Sequence, residues 1–239
     1  MGKSRKKRLA NLQQGFTLVE LLVAMAMAGI VIGAIYSTYK SQQDSYVAQT
    51  HVAEMQQNLR AALYVIGRDI RMAGFNPAGI TDLAGFVPSL PDGDTTDTTN
   101  AENIAFTIDD DANGAINTDD DDEQIAYRIY EDIPNDIYEL QKSKVSTDEW
   151  LTVADNIEAI DFVYLDDNGD PVDPATVTNL PLIRSVQISL VARTGRKDKS
   201  FPGTPAFFNQ QDDQIFDPKT DNIRRRLLTT EIRCRNMGI

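Results

Sequence analysis

The feature that most constrains this chain is an apolar run of 20 residues that directly follows residue 15. Residues 16–35 read FTLVELLVAMAMAGIVIGAI, and Glu20 is the one charged residue among them. As an α-helix this run is about 30 Å long, which matches the hydrocarbon core of a bilayer. The sequence therefore predicts that residues 16–35 form a membrane-spanning helix.

Charge is distributed unevenly around this run. Residues 1–15 contain five basic and no acidic residues, although the whole chain of 239 residues has a formal net charge of -13. Positive charge before a membrane span favours a cytoplasmic amino end and an external carboxyl end. Because contacts to phosphate require basic side chains, so acidic a chain is not expected to bind nucleic acid. A single cysteine, Cys234, and a single histidine, His51, exclude an intrachain disulfide and a two-histidine zinc site.

Two interpretations of the apolar run differ in whether it is retained. A secretory signal would be cleaved after the small-residue pattern at residues 24–26 or 26–28, whereas a membrane anchor would stay in place. Glu20 bears on this choice, because a carboxylate inside a membrane span is costly and calls for a partner. If Glu20 instead lies at the helix end, its side chain can simply reach the polar interface. The residues on either side of Glu20 indicate which interpretation holds.

Residues 15–20, with the sequence GFTLVE, follow the basic leader and open the apolar run. This arrangement resembles the class III signal of type IV prepilins and pseudopilins. The resemblance implies that a membrane prepilin peptidase cleaves after Gly15, removes residues 1–15 and methylates the new amino terminus on Phe16. It also implies that Glu20 neutralises the amino terminus of a neighbouring subunit in a filament. That role agrees with the physics, since an amine and a carboxylate in apolar surroundings are less costly as a pair.

The helical pattern continues beyond the membrane segment. Apolar residues recur three or four positions apart and define one face of an amphipathic helix over residues 36–73. They are Val52, Met55, Leu59, Leu63, Ile66 and Ile70. Gly74 and Pro77 predict where this helix ends. Arg68 and Asp69, near that end, are expected to help cap or pack the helix rather than to carry out chemistry.

Residues 74–239 are predicted to form a periplasmic globular domain, because short β-type runs alternate with turn signals. The predicted strands are 103–108, 124–130, 137–142, 150–154, 157–164, 182–192 and 227–235. Residues 185–191 alternate between polar and apolar side chains, which predicts a half-buried strand. Residues 194–222 are predicted to be a long connection. The fold class is therefore α+β, with an antiparallel β-sheet packed on the apolar face of the long helix.

The last residues of the helix indicate which group of type IV prepilins and pseudopilins the chain resembles. Residues 63–75 are similar to the PilW group of minor pilins and, less closely, to the J-type minor pseudopilin of type II secretion. Residues 150–165 and 182–236 resemble the PilW group more weakly. The resemblance implies a type IV pilin-like fold for the whole chain.

An acidic loop follows the first predicted strand and matches most of a calcium-binding loop pattern. The candidate Ca²⁺ ligands are Asp109, Asp111, Asn113, Ala115 through its carbonyl, and Asp120 in place of the usual glutamate. Residues 109–123 contain eight acidic and no basic residues, which repel one another unless a cation joins them. The alternative is a solvated hairpin tip without a metal. A second acidic loop, residues 166–170, is predicted first of all to be a hairpin turn.

These observations predict a structural subunit, a minor pilin that takes part in the assembly or priming of a type IV pilus. Its expected partners are other pilins, the prepilin peptidase and the bacterial inner membrane. The chain would span that membrane once before it enters the filament or its tip. The alternative within the same class is the J-type minor pseudopilin. An enzyme is not expected, because the sequence shows no nucleophile–base pair and no glycine-rich phosphate loop; apart from Ca²⁺, no cofactor is expected.

Overall fold

The computed structural model describes residues 15–79, 85–88, 99–116, 123–144 and 149–238. The chain divides into two units, Met1–Ala48 and Gln49–Ile239. One long helix, α1, covers residues Leu18–Met72. Within the described residues, α1 is the one helix that is long and apolar enough to cross a membrane. In the first unit the side chains of residues 15–47 are exposed.

The helix α1 ends where the sequence predicts its end. Gly74 has a φ of 75°, in the left-handed region that favours glycine after a helix. Its amide donates a hydrogen bond to the carbonyl of Thr107 at 3.2 Å. A Cβ atom at this position would lie 2.6 Å from the sulfur of Met237, so the close packing also requires glycine. The chain passes from the helix to the first β-sheet through this glycine.

The second unit is built mainly from antiparallel strands. They are β1 (Gly85–Phe86), β2 (Ile104–Thr107), β3 (Gln124–Asp132), β4 (Ile137–Lys144), β5 (Glu149–Asp155), β6 (Ile157–Leu165), β7 (Pro171–Val172), β8 (Ser185–Arg193), β9 (Phe207–Phe208), β10 (Gln214–Phe216) and β11 (Arg225–Arg233). Strands β1 to β5 form one sheet in sequential order, and a second sheet has the order β11-β8-β6-β7. Strands β9 and β10 pair as a separate hairpin. The predicted α+β fold of a long helix on antiparallel strands is therefore confirmed.

The predicted strands correspond to β2–β6, β8 and β11, but they form two sheets rather than the expected single sheet. The break lies between β5 and β6, at Asn156, whose φ of 60° turns the backbone out of the extended conformation. The amide of Asn156 donates to the carbonyl of Tyr138 at 2.7 Å, and its carbonyl accepts from the amide of Arg193 at 2.9 Å. One left-handed asparagine thus joins β4 of the first sheet to β8 of the second.

The apolar face of α1 is buried, as its spacing predicts. Met55, Leu59, Ile66 and Ile70 are at most 4% exposed, and Val52 and Leu63 are partly buried against the same core. Side chains from both sheets complete this core, including Phe106, Tyr127, Leu140, Phe162, Ile188 and Leu190. The helix therefore provides the shared packing surface on which the two sheets of the second unit meet.

Strand β8 is buried on both faces, which corrects the prediction of a half-buried strand. Ile188 and Leu190 belong to the core under α1, while Ser189 and Val191 on the opposite face are at most 1% exposed. The alternation of polar and apolar residues is present, but the polar face is covered by other parts of the chain. Alternation alone cannot show that such a cover exists.

The cover comes from residues 194–222, which were expected to be a plain connection. This segment contains the β9–β10 hairpin, and its side chains bond to the second sheet. Nδ2 of Asn209 donates to Oδ2 of Asp161 at 3.0 Å, and Nε2 of Gln211 donates to Oε1 of Gln187 at 2.9 Å. Asp161 and Gln187 of this sheet face are therefore partners of the hairpin.

Candidate functional site

The helix α1 begins with a reciprocal cap formed by Thr17 and Glu20. The hydroxyl oxygen of Thr17 accepts a hydrogen bond from the amide of Glu20 at 3.2 Å. Oε2 of Glu20 in turn accepts from the amide and from the hydroxyl of Thr17, both at 2.9 Å. This capping box satisfies donors that a helix start otherwise leaves unpaired. The helix is therefore fixed to begin just after the predicted cleavage bond.

That bond, between Gly15 and Phe16, lies outside the helix. Both residues are exposed, and Phe16 is 91% exposed. Among the described residues, no heavy atom lies within 4 Å of the position that a Cβ on Gly15 would occupy. A protease needs an exposed, non-helical peptide bond, because a helical backbone has its carbonyls and amides already paired. The geometry around Gly15 meets this requirement.

Sequence reasoning assigned Glu20 a role between subunits and missed its role as a cap. The pattern Thr-x-x-Glu at residues 17–20 is the signal that could have revealed the cap. Within the described chain, Oε1 of Glu20 accepts no hydrogen bond, while Oε2 accepts both bonds from Thr17. The carboxylate is thus held in one orientation and retains an oxygen that can accept from a further donor.

The first part of α1 presents apolar side chains on all sides. Leu22, Met25, Ile30 and Ile32 are each more than half exposed. A helix that is apolar all round is stable only where a bilayer or other helices cover it. Residues 18–35 therefore form a surface for lipid or for partner helices, and α1 anchors the chain in a membrane.

The acidic loop between β2 and β3 contains the predicted calcium ligands that the structure describes. Asp109 is fully buried, and its Oδ2 accepts from the amide of Gly114 at 3.1 Å. Asp111 is exposed and accepts from the amide of Asn113 at 3.0 Å. Oδ1 of Asn113 accepts from the amide of Ala115 at 2.7 Å. Asp120 lies outside the described residues.

The structure brings Asp109 and Asp111 together with Glu123, which was not among the predicted ligands. One carboxylate oxygen from each of these residues lies within 4.8 Å of the others, and Glu123 is fully buried. The register of β2 and β3 explains the proximity, because Thr107 pairs with Gln124 and the amide of Ile108 donates to the carbonyl of Glu123. The calcium-loop pattern ends at its twelfth position, Asp120, and does not include Glu123. The pairing of β2 with β3 brings Glu123 to the cluster.

The carboxylate of Asp69, on α1, is also buried in the second unit. Its Oδ2 accepts from the hydroxyl of Tyr127 at 2.6 Å and from Nζ of Lys142 at 2.9 Å, and its Oδ1 accepts from Nε of Arg68 at 2.9 Å. Burial alone would raise the pKa of Asp69, but the hydrogen bonds from Tyr127 and Lys142 and the charge of Lys142 outweigh it and hold that pKa below its ordinary value. Asp69 therefore ties α1 to the first sheet, in agreement with the packing role expected of it.

Two adjacent arginines at the start of the last strand, Arg224 and Arg225, are paired within the chain. Arg225 is buried and forms salt bridges with Glu158 and Asp221, while Arg224 pairs with Asp198 at 2.8 Å. These contacts place buried and half-buried positive charges beside acids of the same molecule. Arg224 and Arg225 therefore balance the charge of acids in the same chain.

A capped apolar helix start after the exposed Gly15–Phe16 bond, on a long helix packed against antiparallel sheets, defines a type IV prepilin-like protein. Residues 10–36 match the prokaryotic N-terminal methylation motif. Residues 48–202, more than half of the chain, match the family described as prepilin peptidase-dependent protein B. The chain belongs to the family of prepilin peptidase-dependent protein B. The predicted resemblance to type IV prepilins is thereby confirmed, while the narrower resemblance to the PilW group stays a prediction.

Among solved structures, the chain is similar to a type IV-like pilin from Thermus thermophilus. The two share 12% sequence identity with a TM-score of 0.44, and the alignment covers 77% of this chain and 98% of that one. No curated protein matches the sequence.

Proposed function

We propose that this protein is a minor pilin, a structural subunit that takes part in the assembly or priming of a type IV pilus. The observation that carries the proposal is the Thr17–Glu20 cap directly after the exposed Gly15–Phe16 bond. The match of residues 10–36 to the N-terminal methylation motif supports the same assignment. Cleavage by a prepilin peptidase would remove residues 1–15 and leave Phe16 as a methylated amino terminus.

The proposed role of Glu20 follows from the cost of burying charge. An ammonium at Phe16 in an apolar helix bundle is unfavourable unless an anion neutralises it. Thr17 holds the Glu20 carboxylate in place through Oε2, so that Oε1 can accept from the amino terminus of a neighbouring subunit. Each new subunit would then gain a charge pair that specifies its position along the filament axis.

We also propose how the chain is oriented in the membrane and where its second unit lies. The five basic residues before the span keep the amino end cytoplasmic, so the second unit would lie in the periplasm before assembly. A structural rather than an enzymatic role agrees with membership of a pilin-like family. The resemblance of residues 63–75 to the PilW group favours a minor rather than a major subunit.

The test is a gene deletion complemented with matched variants of Glu20. We expect the deletion to remove most surface pili, counted by electron microscopy, and the wild-type gene to restore them. Glu20→Gln retains an acceptor for the Thr17 cap but removes the charge, so it should be cleaved normally and fail to restore pili. Glu54→Gln, which changes an exposed acid on the same helix, is the control and should restore them.

Leader cleavage is followed in the same strains by the mass of the mature protein. Normal piliation in the deletion strain would contradict a role in assembly or priming. If the deletion instead abolishes protein secretion and leaves the pili intact, the chain is the J-type minor pseudopilin. Restoration by Glu20→Gln would contradict the charge-pair mechanism while leaving the assignment to pilins in place.

A further inference from the structure

The loop between β2 and β3 contains two carboxylates that are removed from water. Asp109 and Glu123 are both 0% exposed, and the exposed Asp111 lies beside them. Oxygen atoms of these three side chains lie within 4.8 Å of one another. Buried carboxylates brought this close are costly unless a positive charge or a metal ion compensates them. A cation within reach of all three side chains would compensate their charges.

One oxygen of Asp109 has no group among the described residues that compensates its negative charge. Its Oδ2 accepts from the amide of Gly114, but its Oδ1 is buried and accepts no hydrogen bond. No ion pair formed by described residues includes Asp109. Buried polar atoms almost always have a partner, and each exception calls for a physical explanation. An unpartnered anionic oxygen in a cluster of carboxylates is explained by a bound cation.

We propose that Asp109, Asp111 and Glu123 bind a Ca²⁺ ion in the β2–β3 loop. This site is independent of the proposed role in pilus assembly. The ligands are hard carboxylate oxygens, which suit Ca²⁺, and no nitrogen or sulfur ligand that would favour a transition metal belongs to the described cluster. Hydrogen bonds that Asp109 and Asp111 accept from the loop backbone leave further lone pairs on each carboxylate for the ion.

The site revises the ligand set that the loop pattern predicts. Asp109 and Asp111 stay in their first and third positions, whereas Glu123 is the residue directly before β3. The ion would join the two ends of the loop, Asp109 and Glu123. Because the amide of Asp109 donates to the carbonyl of Phe75 at 2.8 Å, it would also strengthen the link between this loop and the segment after α1.

The test uses the full-length protein in detergent micelles after removal of metal with EDTA. With a Kd near 0.1 mM, which is within the range of extracellular calcium modules, 10 mM Ca²⁺ should raise the Tm by about 5–10 °C. Isothermal titration of the wild-type protein with CaCl₂ should show a saturable site. The Tm shift should be lost in Asp109→Asn and in Glu123→Gln. Asp110→Asn, which removes the same charge from an exposed neighbour outside the cluster, should retain it.

The sign of the effect in EDTA separates a metal site from an ordinary structural contact. Asp109→Asn retains an acceptor for the Gly114 amide and removes one of the repelling charges. In EDTA this variant should melt at or above the wild-type Tm, and in 10 mM Ca²⁺ it should melt below it. A merely structural Asp109 would lower the Tm equally in both buffers.

Three outcomes would overturn the proposal. The first is a wild-type protein with no saturable heat of binding and no Tm shift in 10 mM Ca²⁺. The second is a loss of the shift in Asp110→Asn as large as that in Asp109→Asn, which would show a diffuse effect of charge. The third is an equal shift with Mg²⁺, which would contradict the assignment to Ca²⁺.

Discussion

The two parts of α1 share one backbone element but differ completely in what surrounds their apolar side chains. In residues 18–35, Ile30 and Ile32 are 74% and 65% exposed. In residues 49–72, Ile66 and Ile70 are fully buried under the two sheets. The difference follows from the pattern, because the first part is apolar all round and the second has a single apolar stripe. The striped part finds its partner within the chain, while the first part requires a membrane or other subunits.

Truncation of a buried isoleucine is expected to have the largest effect on stability, and it tests this comparison. We expect Ile66→Ala to lower the free energy of unfolding by about 2–5 kcal/mol, because it removes burial and leaves a cavity. Ile32→Ala, the same change in the first part of α1, should alter it by no more than about 0.5 kcal/mol. Unfolding of the second unit in urea is followed by the fluorescence of Trp150, with the protein in detergent micelles. Equal losses in the two variants would show that both parts of the helix support the same core.

A smaller effect is expected at the buried carboxylate of the second part. Asp69→Ala should lower the free energy of unfolding by about 2–3 kcal/mol, because it leaves the Tyr127 hydroxyl and the Lys142 ammonium without their acceptor. The exposed acid Asp44 provides the control, and Asp44→Ala should be close to neutral. The midpoint of urea unfolding at pH 7 measures both.

The contribution of Asp69 should depend on pH with a definite sign. Because the folded state holds the pKa of Asp69 below its ordinary value of 3.8, its stabilising effect is complete above pH 3.8. The effect is lost as the pH falls through the lower folded value. The difference in stability between wild type and Asp69→Asn should therefore shrink on acidification. A difference that stays constant from pH 7 to pH 3 would show that the charge of Asp69 has no part in it.

The smallest effect on stability is expected from substitution of a glycine in α1, and two glycines allow a comparison. A Cβ on Gly67 would lie 3.1 Å from Cδ1 of Ile232, whereas no described heavy atom lies within 4 Å of a Cβ on Gly33. We expect Gly67→Leu to lower the free energy of unfolding by about 1–2 kcal/mol through overpacking. Gly33→Leu should leave the isolated protein unchanged, and the same urea titration checks both. A neutral Gly67→Leu would mean that Ile232 and β11 move aside at little cost.

The elements with a local signal could be predicted from the sequence. The stripe from Val52 to Ile70 and the principal strands follow from the spacing of apolar residues, and the end of α1 follows from Gly74. The turn at residues 166–170 is also as predicted, since the amide of Asp166 donates to the carbonyl of Asp170 at 3.0 Å. Short pairings such as β9–β10 were missed, because two or three residues carry too little periodicity to be recognised.

The sequence by itself determined that a basic segment precedes an apolar helix, and that a striped helix packs on β-strands. These properties depend on residues that are neighbours along one element, where spacing translates directly into a face. The tertiary structure decided the division into two sheets at Asn156, the burial of both faces of β8 and the meeting of Glu123 with Asp109. Each of these depends on which distant segments pair, and strand pairing brings together residues whose separation along the chain carries no signal.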